Sequence, residues 1–331
     1  MEHAAERVTL ARLPSGRPVS TTVHVYGTAA GDPLASAPAA AGPTLYVQAA
    51  QHGREVNGPE VCRRLHDRLL GAPAADGTVV VVPVADPLTF DRVTYTAPRY
   101  DRANPNLNRV WPGDDAGTVR ERMAARLWSL ASEADAAVDL HTGRPDTLSH
   151  VVVTEGDPRA VDLARAFGTS LCLAESAGAD ADPEWHDRGF DGKFRVAAAE
   201  AGVAAITPEL AHNREVVESA VATGVAGLCD VARHLGVLDG DADPAGPAVA
   251  RNHLGRVTAD ASGLFRPAPD LTVGDEVVAG AHLGDLYDPT SYERLRSVAA
   301  DRAGVLYALT REATVTTGTT LANVAERVDR D

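Results

Sequence analysis

His52, Gly53, Arg54 and Glu55 close one apolar run of the chain, and Asp139, Leu140, His141 and Thr142 close another far downstream. Two imidazoles and a carboxylate, His52, Glu55 and His141, are the donor types that hold a zinc ion and leave a fourth position open for water or substrate. That is the layout of a hydrolytic metal site. A bare His-x-x-Glu pair is weak by itself, because most such pairs are surface residues or hydrogen-bonded core histidines. Context strengthens it. Residues 44–50 read as a buried strand delivering His52 to its end, and 136–140 do the same for His141. Open α/β sheets collect their ligands at the carboxyl ends of strands.

Hydrolysis of an amide needs a carboxylate to move protons and an anchor for the substrate as well. Residues 203–210 form a β-like run that ends in Glu209, a carboxylate that is costly to bury without a partner or a task. The alternative for Glu209 is a strand end turned to water. Residues 104–113 are too rich in turn formers for a helix or central strand. This loop offers Asn108 beside Arg109, and a planar guanidinium with an amide suits a carboxylate. A solvated loop arginine is the alternative. Arg99 and Arg102 lie just upstream, as a second positive contact or as surface residues.

His52-Gly53-Arg54-Glu55, Asn106-Leu107-Asn108-Arg109, Asp139-Leu140-His141 and the strand ending Thr207-Pro208-Glu209 resemble, in order and approximate spacing, the motifs of the succinylglutamate desuccinylase and aspartoacylase family. Pro83-Val84-Ala85-Asp86-Pro87, Trp111-Pro112-Gly113 and a Gly-punctuated tail extend the resemblance over nearly the whole chain. It implies an α/β zinc-carboxypeptidase-like mixed sheet flanked by helices, with a small C-terminal all-β domain. It also implies one Zn2+ per chain on His52, Glu55 and His141, Glu209 as general acid/base, and Asn108 with Arg109 clamping a substrate carboxylate. Asp139, two residues before His141 and so on the same strand face, is a candidate to orient that ligand or to tie down a loop. Three positions depart from the family pattern. Asn106 replaces an Asp, Ala211 stands where a Gly often follows, and Pro208 precedes Glu209. A proline removes a ladder donor, so its strand should lie near an edge or be locally irregular.

The elements that must position these groups read as follows. Strands are expected at 19–26, 44–51, 78–85, 136–141, 149–154, 170–174 and 203–209, and helices at 57–70, 117–134, 158–167, 193–201 and 214–236. Asn57 is a plausible capping residue, placing a strand-to-helix turn between His52 and the first helix. The Gly, Pro and Asp cluster at 239–248 reads as a linker. It divides a catalytic domain, 1–240, from a small β domain, 241–331. Residues 176–192, polar but carrying Trp185, Phe190, His186 and Arg188, have the composition of a substrate lid and equally of a disordered surface insertion.

The 331 residues are 44% hydrophobic, enough for a large core. Lys and Arg number 31 against 46 Asp and Glu, a formal net charge of −15, which disfavours nucleic acid and anionic membranes as partners. The single lysine, Lys193, reads as compositional bias. Cys62, Cys172 and Cys229 lie in apolar stretches, as buried thiols of a reducing compartment do. The N-terminal residues lack a signal-peptide pattern and no apolar run reaches about 18 residues, so a cytoplasmic protein is expected. The remaining histidines, His3, His24, His66 and His150 among them, lack partners at ligand-like sequence spacing and are expected at the surface or in the core.

The resulting expectation is a zinc-dependent deacylase that cleaves the N-acyl group from a small N-acylated amino acid, whether as monomer or homo-oligomer. A metallocarboxypeptidase acting on short peptides and a non-catalytic metal-binding protein are the alternatives.

Overall fold

The computed structural model describes residues 1–27, 42–73, 76–97, 104–144, 146–242, 246–251 and 255–328. Arg99, Arg102 and His253 lie outside the described residues. The chain opens with a long antiparallel hairpin of β1 (Glu2–Arg12) and β2 (Pro18–Gly27). Next come β3 (Thr44–Ala49), α1 (Asn57–Gly71), β4 (Thr78–Val82) and a single turn, α2 (Pro87–Phe90). β3 and β4 are continuous apolar runs because helices cover both faces of the sheet.

After α3 (Val119–Ala131) the chain forms β5 (Ala136–Gly143), β6 (His150–Thr154), α4 (Pro158–Phe167) and β7 (Leu171–Glu175). Thr118 and Glu121 close a reciprocal capping box on α3, and Asp157 with Pro158 starts α4. α5 (Pro183–Asp187), α6 (Phe194–Glu200), β8 (Ala204–His212) and α7 (Glu218–His234) complete the region. Strand order is β1-β2-β4-β3-β5-β8-β6-β7. β3, β4, β5 and β8 pair in parallel, whereas β6 runs antiparallel to β8. One apolar layer joins Leu45, Val47 and Leu140 to α1, α4 and α7; the other joins Tyr46, Val80 and Val82 to Met123 and Leu127 of α3 and Phe194 of α6.

β9 (Ala248–Arg251) adds to β7 in parallel. The remaining strands are β10 (Val257–Thr258), β11 (Gly263–Pro267), β12 (Glu276–Val277), β13 (His282–Tyr287), β14 (Arg294–Ala299), β15 (Gly304–Leu309), β16 (Thr314–Val315) and β17 (Thr320–Arg327). β11, β13, β14 and β16 form a separate antiparallel sheet around Phe265, Leu283 and Leu286. β17 pairs with β9, so the backbone ladder passes unbroken from the main sheet into the C-terminal strands β15 and β12. The fold is a mixed α/β sheet with flanking helices and a small C-terminal antiparallel sheet.

One local expectation is corrected, and another is resolved between its alternatives. Asn57 does not cap α1; Val56 holds the cap position without a side-chain bond. Asn57 instead donates to the carbonyls of Leu210 and His212 at 2.8 and 3.1 Å, and accepts from the Val217 amide, fastening α1 to the end of β8. Of the two alternatives for the proline-bearing strand β8, the structure shows the irregular one, since β8 lies between β5 and β6 and not near an edge. The irregularity falls at its end, where the register with β5 shifts between His141 and Gly143 and Ala211 takes a left-handed φ of 55°.

Candidate active site

His52 and Glu55 stand on the turn between β3 and α1, His141 near the end of β5, and Glu209 directly across from His141 on parallel β8. Gly53 makes the turn fit. A Cβ there would come 2.0 Å from the Thr89 carbonyl oxygen of α2.

The three candidate ligands are almost fully covered, at 3%, 2% and 3% exposure for His52, Glu55 and His141, which excludes a chance surface cluster. Glu55 Oε1 lies 2.8 Å from His52 Nδ1, and Oε2 lies 2.9 Å from His141 Nδ1. The outer ring nitrogens are taken as well: His52 Nε2 meets Asn106 Oδ1 at 3.1 Å, and His141 Nε2 meets Asp139 Oδ2 at 2.9 Å. At these distances each Nδ1–H donates to the Glu55 carboxylate, and an ion bound among the three groups would take the place of those two hydrogens while Asn106 and Asp139 keep Nε2–H on each ring. Asp139 is held in turn by Gln48 and Gln51, which donate at 3.0 and 2.7 Å, and Gln51 accepts from the Trp111 indole at 2.8 Å. Buried donors of this type and convergence fit zinc.

Burial by itself would raise the Glu55 carboxyl, but the imidazoles at its two oxygens hold it well below the usual carboxylate range. Glu209 behaves oppositely: burial pushes it up to about 7, beyond what His141 can offset, and Glu55 adds to the rise. One carboxylate is thereby kept ionised while its neighbour sits near the middle of the neutral range.

His52, Glu55, His141 and Glu209 line one pocket of about 770 Å³. Asn108 and Arg109 line it too, but unequally. Asn108 Oδ1 accepts from the Phe194 amide at 2.9 Å, so its side chain is already held to the start of α6 beside His141. Arg109 spreads over the Phe190 ring at 4.5 Å and donates to the Arg188 carbonyl. Residues 176–192 are not an unstructured insertion. Trp185, Phe190, Ala181 and Val196 pack together, and Arg188 and Phe190 face the pocket as one wall. Tyr307, Thr320 and Asn323 of the C-terminal strands also line the pocket.

Three further parts escaped the sequence reading. Asn106 contacts His52 directly. Lys193 is paired with Glu175 at 2.9 Å and lies 3.6 Å above the Phe190 ring. Burial draws its ammonium down to about 8 despite Glu175. That the chain's single lysine sits here was a compositional signal available in advance. His150, the antiparallel partner of Glu209, is buried beside it.

Comparison with known proteins agrees with this geometry. Residues 41–235 match the model of the succinylglutamate desuccinylase/aspartoacylase catalytic domain. The N-alpha-acetyl-L-2,4-diaminobutyric acid deacetylase of Halomonas elongata is 28% identical over 303 residues, 87% of this chain and 83% of that protein. A succinylglutamate desuccinylase/aspartoacylase structure from Rhodobacter sphaeroides superposes with a TM-score of 0.78 at 23% identity, covering 99% of this chain and 95% of that one. The product-bound ectoine utilization protein EutE (DoeB) of Ruegeria pomeroyi gives 0.77 at 23% identity, with 98% and 94% coverage. The chain therefore belongs to the succinylglutamate desuccinylase/aspartoacylase family.

Proposed function

We propose that this protein is a zinc-dependent deacylase that hydrolyses the amide of a small N-acylated amino acid. The observation that carries the reading is the meeting of both Nδ1 atoms on the two oxygens of Glu55, with Glu209 facing the same pocket. A zinc ion held by His52, Glu55 and His141 would polarise an amide carbonyl and lower the pKa of water in the site toward neutrality. The Glu209 carboxylate takes the proton from the attacking water and returns it to the leaving amine nitrogen, a double duty suited to a group that titrates near neutrality. Asp139 and Asn106 keep Nε2–H on the two imidazoles, leaving each Nδ1 for the ion.

Cationic side chains outnumber carboxylates two to one around the pocket, against a chain charge of −15. That inversion favours a substrate carboxylate, with Arg109 as its anchor. Lining contributed by both residues 176–192 and the C-terminal strands favours a compact acyl amino acid over a peptide. The Halomonas elongata relative makes an N-acetylated diamino acid the first substrate to try.

The test is amine release from zinc-loaded protein given N-acetyl and N-succinyl amino acids, N-acetylated diamino acids, dipeptides and tripeptides, with Glu209→Ala as blank. Cleavage confined to acyl amino acids supports the reading and names the acyl group. Cleavage of peptides alone would replace it with a carboxypeptidase.

A further inference from the structure

Away from the pocket, three histidines expected to be unconnected are brought together by the fold. His3 lies on the edge strand β1, His24 on β2 and His66 on α1. The hairpin register sets His3 opposite Tyr26 and His24 opposite Ala5, so both imidazoles lie on the sheet face that α1 covers. His3 Nε2 is 3.1 Å from His24 Nδ1, and the His3 ring meets the His66 ring edge-on with centroids 4.8 Å apart. One ligand nitrogen from each of the three falls within 4.8 Å of the others. All three are half-buried, so the cluster is held by its surroundings yet open to solvent.

We propose that His3, His24 and His66 form a second metal site, for a divalent transition ion of the zinc class. Nitrogen ligands of a tetrahedral zinc at the usual bond length stand about 3.3 Å from one another. The His3–His24 separation already matches this, and because no two of the three nitrogens lie more than 4.8 Å apart the set closes with shifts of at most about 1.5 Å at side-chain tips. Three imidazoles with no carboxylate select this class of ion over magnesium or calcium. Tyr26 places its hydroxyl 2.7 Å from His66 Nδ1. As acceptor from Nδ1–H it orients that ring and leaves Nε2 as the ligand. On metal entry the hydrogen shared by His3 and His24 is displaced, the donor ring moving its proton to its other nitrogen. A fourth position remains for water.

The bound ion would fasten the free edge of the sheet to α1. α1 is already anchored at its start to β8 through Asn57, and β1 is additionally tied to its far end, where the Met1 amino group donates to the carbonyls of Leu69 and Ala72 at 3.2 and 2.8 Å. The role is structural and independent of what the pocket hydrolyses.

Equilibrium dialysis against zinc, with metal counted by mass spectrometry, tests it on four proteins: wild type, His24→Gln, Glu55→Gln and the double variant. The expected zinc contents are two, one, one and none per chain, with thermal unfolding showing that each variant folds. If His24→Gln does not fold, His3→Gln on the edge strand replaces it. Wild type saturating at one zinc that Glu55→Gln removes would overturn the proposal. So would a second zinc that survives both His24→Gln and His3→Gln.

Discussion

His150 makes stability depend on acidity in a calculable way. It is 4% exposed, its Nδ1 donates to the Leu148 carbonyl at 2.8 Å, and its ring lies edge-on to Tyr307. Burial pulls its pKa from 6.5 down to about 4. The unfolded chain therefore takes up the proton first as pH falls. Stability is complete above about pH 6.5 and is lost progressively down to the folded value near pH 4. At 1.36 kcal/mol per pKa unit the shift amounts to about 3 kcal/mol over that window, of which about 2.5 is gone by pH 4.5. Urea unfolding of chelator-treated protein at pH 7 and pH 4.5, for wild type and His150→Gln, isolates this contribution from other acid-sensitive groups. The wild type should lose about 2.5 kcal/mol more than the variant between the two pH values. Parallel losses would mean that the imidazole is protonated in the folded state. Because it is neutral at working pH, His150 does not help to ionise Glu209 across the β6–β8 ladder.

Glu209→Gln should lower kcat about 10²- to 10⁴-fold while zinc content stays at the wild-type level, and activity within a few-fold of wild type would remove this residue from proton transfer. Arg109→Ala should raise KM for carboxylate-bearing substrates with little change in kcat; unaltered steady-state kinetics would place the anchor elsewhere. Gly192→Ala would put a Cβ 2.2 Å from the Arg109 carbonyl oxygen, so about 1–3 kcal/mol of stability should be lost in denaturant titration, and a neutral result would show that the segment yields. Ala211→Gly should stabilise by about 0.5–1 kcal/mol by relieving the left-handed backbone, and a lower midpoint in the same titration contradicts that reasoning.

The parts of the fold that were readable were those governed by a single period. β2, β3, β4 and β7 are apolar enough that their ends fall within three residues of expectation, and α1, α4 and α6 within one. β1 was missed because charged residues dilute its alternation; only its second half is buried on one face. The candidate ligands were legible because His52, Glu55 and His141 follow such runs closely. Asn106 was not, since its contact with His52 depends on how a turn-rich loop folds back over the site. The His3, His24 and His66 cluster was invisible for the same reason: it exists only once β1 pairs with β2 and α1 packs across them. Cys62, Cys172 and Cys229 are buried and free, as their apolar surroundings suggested.

The ladder that runs from β7 through β9 into β17 constrains how the pocket can open. Two bodies joined by a flexible connector can swing apart about a hinge. Here such a swing would tear backbone hydrogen bonds on both sides of β9, and it would also separate Leu171 and Leu173 from Val305 and Tyr307, which share one buried cluster. The strands on both sides of β9 therefore hold the pocket walls as one continuous sheet. Arg144, which donates to the Thr320 carbonyl and Asn323, and Arg256, which pairs with Glu184, line the pocket and link its catalytic-domain residues to the C-terminal segment.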